Sequence, residues 1–247
     1  MKLDVLFTPA GLTLTAVQGR TVFVIDILRA TPSMCAAMSN GARAIVPVSS
    51  AEEALRLAQT LGSDDVVLAG ERNCLRIEGF ELGNSPLEMT GAAVRGKTLV
   101  LTTTNGTRAL LACQGAGAVY PACAGNLTLA AAKARESLEE GADVLVLCAG
   151  RGGAFSLDDG YAAGRLVAAA LGGVKVRRGL NDAALASLDL VRRYGDDWER
   201  PLRRSRAGRA LVRLGFAEDV AVCARQDAFP VLPTFQERRV MPAAVPV

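Results

Sequence analysis

The stretch KTLVLTTTNGTRAL, residues 97–110, holds an apolar β-branched run, three consecutive threonines, an Asn-Gly pair, and then a return to helix-forming residues. Read alone, it is a strand that ends in a turn and feeds a helix. The strand is too uniformly apolar to have a wet face, which places it inside a sheet covered on both sides. The same pattern recurs along the chain. Short apolar runs occur at 2–7, 21–28, 43–48, 65–69, 117–122 and 142–148. Helical patterns separate several of them, as in SSAEEALRLAQTLG (49–62), where Ser50 and Glu53 suit a capping box and Gly62 suits a C-terminal stop. A second helix is expected over 127–140. Buried strands alternating with helices predict an α/β fold, a three-layer α/β/α arrangement around a largely parallel or mixed sheet.

Beyond residue 155 the pattern turns mostly helical, with a weak strand at 174–177 and prolines at 230, 233, 242 and 246. A single domain over 1–247 is expected, with a possible subdivision near 155 and an extended tail over 229–247. Its 247 residues, half of them hydrophobic, suffice for a sizeable core. The 28 Lys and Arg residues nearly balance 25 Asp and Glu, so the overall charge announces neither a nucleic-acid nor a membrane partner. No apolar run approaches a membrane span, and Asp4 interrupts what would be the core of a signal peptide; a cytoplasmic location is expected. The six cysteines form no C-x-x-C pair, which suits reduced, buried thiols.

The chain has no histidine. Ser-His-Asp and Cys-His nucleophiles, phosphohistidine intermediates and imidazole-bound zinc are therefore excluded. Carboxylates, hydroxyls, amides and arginines remain, and their natural metal is a hard, oxygen-seeking ion such as Mg²⁺.

In open parallel sheets ligands bind beyond the carboxyl ends of the strands. Four stretches stand there. In DILRATPS (26–33), Asp26 ends an apolar run and Arg29 follows; the two serve either chemistry or a helix cap. The loop AGERNCLRIEGFELGNSP (69–86) carries Glu71, Arg72, Asn73 and Asn84, and loops of this length are usually functional. TTTNGT (102–107) forms either an anion cradle or an ordinary N-cap. CAGRGGAFSLDDG (148–160) is a further glycine-rich turn with Arg151, Asp158 and Asp159. None of these is a Walker A loop, a Cys-x5-Arg loop or a D-x-D nucleophile motif, and Phe155 stands where a dinucleotide fingerprint needs its third glycine.

Taken together, VIDILRAT (24–31), AGER (69–72), GFELGNSP (79–86), LTTTNGTRAL (101–110), AGRGGAFSLDD (149–159) and SRAGRALVRLGFAEDVAVCARQD (205–227) resemble the magnesium-dependent 2-phosphosulfolactate phosphatases. They occur in that family's order. The resemblance implies Mg²⁺ dependence and hydrolysis of 2-phosphosulfolactate to 3-sulfolactate and phosphate, a step of coenzyme M biosynthesis. It also implies a small anionic substrate and a homo-oligomer. Pro32, Ser33, Cys74 and Glu81 depart from its usual pattern.

On that basis Asp26, Glu71 and Asp159 are the expected metal ligands, with Asp158 as substitute, and with Arg29 they form the expected catalytic set. Arg72, Asn84, Thr103, Thr104, Asn105, Gly106, Thr107, Arg151, Gly152 and Arg209 are expected to bind the substrate and its phosphate; Arg108 also lies in a motif. Either a metal-bound water or a carboxylate then attacks phosphorus. The arginine cluster at 200–213 is expected to be mainly a solvated face with little aromatic interleaving, which disfavours nucleic acid. A broader phosphatase for other phosphorylated 2-hydroxy acids, or a non-catalytic anion binder, are the alternatives.

Overall fold

The computed structural model describes residues 1–62, 65–172 and 179–242. In chain order the strands are β1 (Leu3–Leu6), β2 (Thr21–Ile25), β3 (Ala44–Pro47), β4 (Val66–Arg72), β5 (Leu75–Arg76), β6 (Thr98–Thr102), β7 (Ala118–Pro121), β8 (Val144–Cys148), β9 (Thr234–Gln236) and β10 (Arg239–Met241). All seven apolar runs read from the sequence are strands. The helices are α1 (Leu14–Val17), α2 (Ala30–Ser39), α3 (Ala51–Leu61), α4 (Gly91–Val94), α5 (Gly106–Leu111), α6 (Leu127–Glu139), α7 (Leu157–Leu171), α8 (Asp182–Tyr194), α9 (Glu199–Arg204), α10 (Arg206–Arg213) and α11 (Ala217–Cys223). None among the described residues is long and apolar enough to cross a membrane.

The strands sort into two sheets. One has the order β1-β8-β2-β7 and is parallel throughout. The other has the order β5-β4-β6-β3-β10-β9; β4, β6 and β3 run parallel, while β5, β10 and β9 pair antiparallel at its two edges. Strand pleating sends alternate side chains of β2 to opposite sides. Phe23 and Ile25 pack with α6, α7 and α8, whereas Val22 and Val24 enter a second core together with Ile45, Leu99 and Leu101 of the other sheet. Helix α2 lies in that shared core, and Ala30 to Met38 are all buried. Its run of small residues and methionines lets a helix be covered on every side. On the far side of the second sheet, Ala54 of α3 packs with Leu68 and Val100.

Local signals explain several boundaries. The Ser50 hydroxyl accepts the Glu53 N–H (3.1 Å), the Glu53 carboxylate accepts the Ser49 N–H (2.8 Å), and Gly62 closes α3 at φ +53°. The expected helix at 127–140 is α6. Ser205 separates α9 from α10 with an extended backbone, and its hydroxyl accepts the Gly208 N–H at 2.9 Å. Within the segment expected as a tail, β9 and β10 form a hairpin whose Val240 is fully buried against β3. Glu237 and Arg238 turn it with φ of +49° and +60°, and Pro233 and Pro242 flank the hairpin without interrupting it. The expected strand at 174–177 and residues 243–247 lie outside the described residues.

Candidate active site

The carboxyl ends of β2, β4, β6 and β8 open on one cleft of about 400 Å³. It joins the two sheets, because β2 and β8 belong to one and β4 and β6 to the other. Asp26 and Arg29 enter from β2, Glu71 from β4, Thr104 and Asn105 from β6, and Arg151 with Gly152 from β8.

The hydroxyls of TTTNGT divide their roles. Thr103 and Thr107 lock each other: the Thr107 N–H donates to Thr103 Oγ1 (3.0 Å), the Thr103 N–H donates to Thr107 Oγ1 (3.2 Å), and the Thr107 hydroxyl donates to the Thr103 carbonyl (3.1 Å). Thr103 thus satisfies an N–H of the first turn of α5, while Asn105 in the N-cap position makes no side-chain cap hydrogen bond. Thr102 Oγ1 accepts from Arg72 (2.9 Å). Thr104 and Asn105 line the cleft, and Asn105 Oδ1 accepts the Gly152 N–H at 3.2 Å, tying this turn to the one after β8. Gly106 is required by closeness: a Cβ there would stand 2.4 Å from Ala30 Cβ and 2.7 Å from Asp26 Oδ2. Any side chain would displace the Asp26 carboxylate.

Asp26 is buried at 8% exposure, and burial together with the nearby Glu71 charge pushes its carboxyl up to about 7. Glu71 is held in place by two backbone donors, with Oε1 accepting the Thr104 N–H (2.7 Å) and Oε2 the Cys74 N–H (2.8 Å). Each of these oxygens keeps a second lone pair. Arg29 is 3% exposed and fixed on three sides: Nη1 donates to Asp219 (2.5 Å), Nη2 donates to the Cys74 carbonyl (2.7 Å), and the guanidinium lies 4.5 Å from the Phe216 ring centre. Asp219 also accepts from the Ser85 hydroxyl at 2.7 Å. Asn84 is 5% exposed and lines the cleft, and its Oδ1 accepts no hydrogen bond among the described residues. A buried acceptor without a donor suits a bound cation or a ligand donor.

Other expected site residues stand behind the wall. Both carboxylate oxygens of Asp159 accept backbone N–H groups, from Ile27 (2.9 Å) and from Gly150 (2.9 Å). The residue thereby clips the end of β2 to the end of β8; burial, then the charges of Asp158 and Asp26, raise its pKa well above the carboxylate range. Asp158 is buried, accepts from the Ser156 hydroxyl, and is raised mainly by burial. Arg72 anchors Thr102 and the Glu71 carbonyl. Arg209 donates to the Arg204 carbonyl and lies outside the cleft, which Arg206 reaches instead. Gly150, at φ +62°, has no room for a Cβ, which would stand 2.5 Å from the Ala154 carbonyl oxygen.

The cleft thus gathers Asp26, Arg29, Glu71, Asn84, Thr104, Asn105, Arg151 and Gly152; Arg72, Thr103, Gly106, Thr107, Asp159 and Arg209 support or neighbour it. Asn73, Cys74 and Arg206 also line it although they are not among the expected catalytic, metal or substrate-binding residues, and Asp219 holds Arg29 from behind. Asn73 and Cys74 have positive φ (+54° and +71°), a sharp turn that the AGERNC spelling does not announce. Among the described residues no group of three or more Asp, Glu, Cys or His side chains is placed to hold a metal ion. The oxygen donors of the cleft include the Asp26 and Glu71 carboxylates and the unpartnered Asn84 Oδ1, whereas Asn105 Oδ1 is taken by the Gly152 N–H.

Comparison with known proteins places this geometry in context. The family described as 2-phosphosulpholactate phosphatase matches residues 6–238. A protein of Symbiobacterium thermophilum is 40% identical over 223 residues, which cover 90% of this chain and 94% of the relative. One from Caldanaerobacter subterraneus subsp. tengcongensis is 38% identical, with 87% of each chain covered, and one from Clostridium acetobutylicum is 33% identical over 98% of this chain and 100% of its own. All three carry the description "Probable 2-phosphosulfolactate phosphatase". The match runs from the last residue of β1 to the turn of the C-terminal hairpin and so includes every residue of the cleft, and the chain belongs to the 2-phosphosulfolactate phosphatase family.

Proposed function

We propose that this chain is a phosphoric monoester hydrolase that converts 2-phosphosulfolactate and water into 3-sulfolactate and phosphate, with Mg²⁺ as its metal. The observation that carries the reading is the convergence of two buried carboxylates, Asp26 and Glu71, with Arg29 and Arg151 on one cleft inside the family segment. The donors fit the metal. Asp26, the free lone pairs of Glu71 and the orphaned Asn84 Oδ1 are hard oxygens, and Mg²⁺ keeps several waters, so few protein ligands suffice. When bound, Mg²⁺ supplies positive charge that polarises the phosphoryl group.

The chain's own residues do the rest. Arg29 cannot swing away, because Asp219, the Cys74 carbonyl and Phe216 hold its guanidinium. Its remaining N–H groups are fixed donors for phosphate oxygens at the cleft wall. Arg151 approaches from a loop whose shape the Arg151–Ala154 bridge and Gly150 set. Asp26 would hold the cation as a carboxylate, so the proton it keeps in the metal-free fold would leave on binding. A cytoplasmic location and a place in coenzyme M synthesis belong to the same proposal and rest on the family resemblance.

The direct test is Asp26→Asn, which keeps the shape and removes the charge. Its kcat on 2-phosphosulfolactate should fall by roughly 10²–10⁴, the range for losing a positioned catalytic group, while thermal unfolding stays cooperative. Turnover like that of the natural protein would remove Asp26 from the chemistry.

A further inference from the structure

A second recess of about 290 Å³ lies beside the main cleft and shares Arg151, Ala154 and Arg206 with it. Ser156, Arg204 and Arg209 continue its wall, and no carboxylate lines it among the described residues. The charges of the combined site are therefore segregated. Asp26 and Glu71 line only the main cleft, where Arg29 is paired with Asp219; Arg204 and Arg209 line only the recess, and Arg151 and Arg206 stand between the two and line both.

The break at Ser205 creates this arrangement. It starts α10 at the edge of the cleft, so that Arg206 and Arg209, three residues apart, share a face directed at the recess. Arg209 is steadied by donating to the Arg204 carbonyl. By contrast Arg203, one residue before Arg204, pairs with Glu199 at 2.5 Å and does not line the recess. Four guanidinium groups around one hollow repel each other, and a bound anion relieves that repulsion.

Resting on the proposed phosphatase reading, we infer that this recess holds the sulfonate of the substrate, and that Arg206 and Arg209 decide whether a 2-phospho acid with or without a sulfonate is preferred. The chemistry matches the segregation. A sulfonate is a permanently ionised, tetrahedral group with three oxygens, and forked guanidinium donors suit it while carboxylates repel it. The phosphate ester, one carbon away, stays at the end that carries Asp26, Glu71 and Arg29.

The test compares Arg206→Ala and Arg209→Ala with the natural protein on 2-phosphosulfolactate and on 2-phospholactate, which has the same ester and carboxylate but no sulfonate. The ratio of kcat/KM for the sulfonated over the unsulfonated substrate should fall about 10- to 100-fold in each variant, mainly through KM, the effect of one lost charge-assisted contact. Arg206→Lys should restore part of the ratio. Equal losses on both substrates would overturn the inference, because the recess would then hold a group common to the two. Calorimetric binding of 3-sulfolactate and of lactate separates this claim from the phosphatase reading. If the natural protein hydrolyses neither ester but binds 3-sulfolactate more tightly than either alanine variant does, the recess stands and the phosphatase reading falls. If both variants bind 3-sulfolactate as the natural protein does, the inference fails whatever the turnover.

Discussion

Replacing Asp219 by Ala isolates the contact that joins the two ends of the chain at the cleft. Arg29 and Asp219 are each 3% exposed and meet at 2.5 Å across 190 residues of sequence. With the carboxylate gone, Arg29 keeps one carbonyl acceptor and an aromatic face for a full buried charge, and the Ser85 hydroxyl loses its partner. Breaking a buried pair on one side costs about 3–5 kcal/mol, because the remaining ion stays desolvated. For a chain of this size that corresponds to a fall in melting temperature of roughly 6–20 °C. Urea unfolding followed by circular dichroism measures it. The double change Arg29→Met with Asp219→Leu should recover much of the stability while leaving the protein inactive, since no charge is then stranded. A loss below about 1 kcal/mol in Asp219→Ala would refute the reasoning, showing that Arg29 finds water or another partner.

Two other outcomes follow from the buried carboxylates. Asp159→Ala strands the N–H groups of Ile27 and Gly150, so it should cost at least about 2 kcal/mol in urea unfolding and lower kcat, with Asp159→Asn recovering part of both; an unchanged midpoint would contradict the clip. Asp26 titrates near 7 in the metal-free fold against an ordinary value of 3.8, so between those values the native state holds a proton that the unfolded chain has released. Its contribution is fully present below the unfolded value and lost as pH rises towards about 7, on the order of a few kcal/mol. Relative to Asp26→Asn, the natural protein should therefore lose stability from pH about 4 to about 7 without metal, whereas Mg²⁺ affinity should rise over the same range because the ion needs the ionised carboxylate. Parallel pH profiles for the two proteins would contradict this.

Most of the fold was legible because it rests on local patterns. Each apolar run of β-branched residues became a strand, and the Ser50 cap and Gly62 bounded α3 because capping depends on neighbours alone, although Glu53 reaches back to the Ser49 N–H and not to that of Ser50 as a capping box requires. The split into two sheets was not, since β2 and β6 have the same buried spelling and only long-range pairing assigns them to different sheets. The hairpin at 234–241 was hidden by the neighbouring Pro230, Pro233 and Pro242, which fall outside the paired residues. At the site, Asp26 and Glu71 could be located because they stand at the carboxyl ends of strands. The role of Asp159 could not, because a carboxylate that accepts two backbone N–H groups has the same spelling as one that faces a ligand. Arg206 and Arg209 likewise differ only through the helix break at Ser205, a φ/ψ choice made in the folded chain.

The measurement that bears most directly on the account is phosphate release from 2-phosphosulfolactate by the natural protein, with Mg²⁺ and with EDTA. Release should depend on the metal, be suppressed by EDTA, be restored by added Mg²⁺, and yield one 3-sulfolactate for each phosphate. Equal release in EDTA would contradict the assignment of Asp26, Glu71 and Asn84 to a metal, and no release under either condition from the folded protein would contradict the phosphatase reading itself.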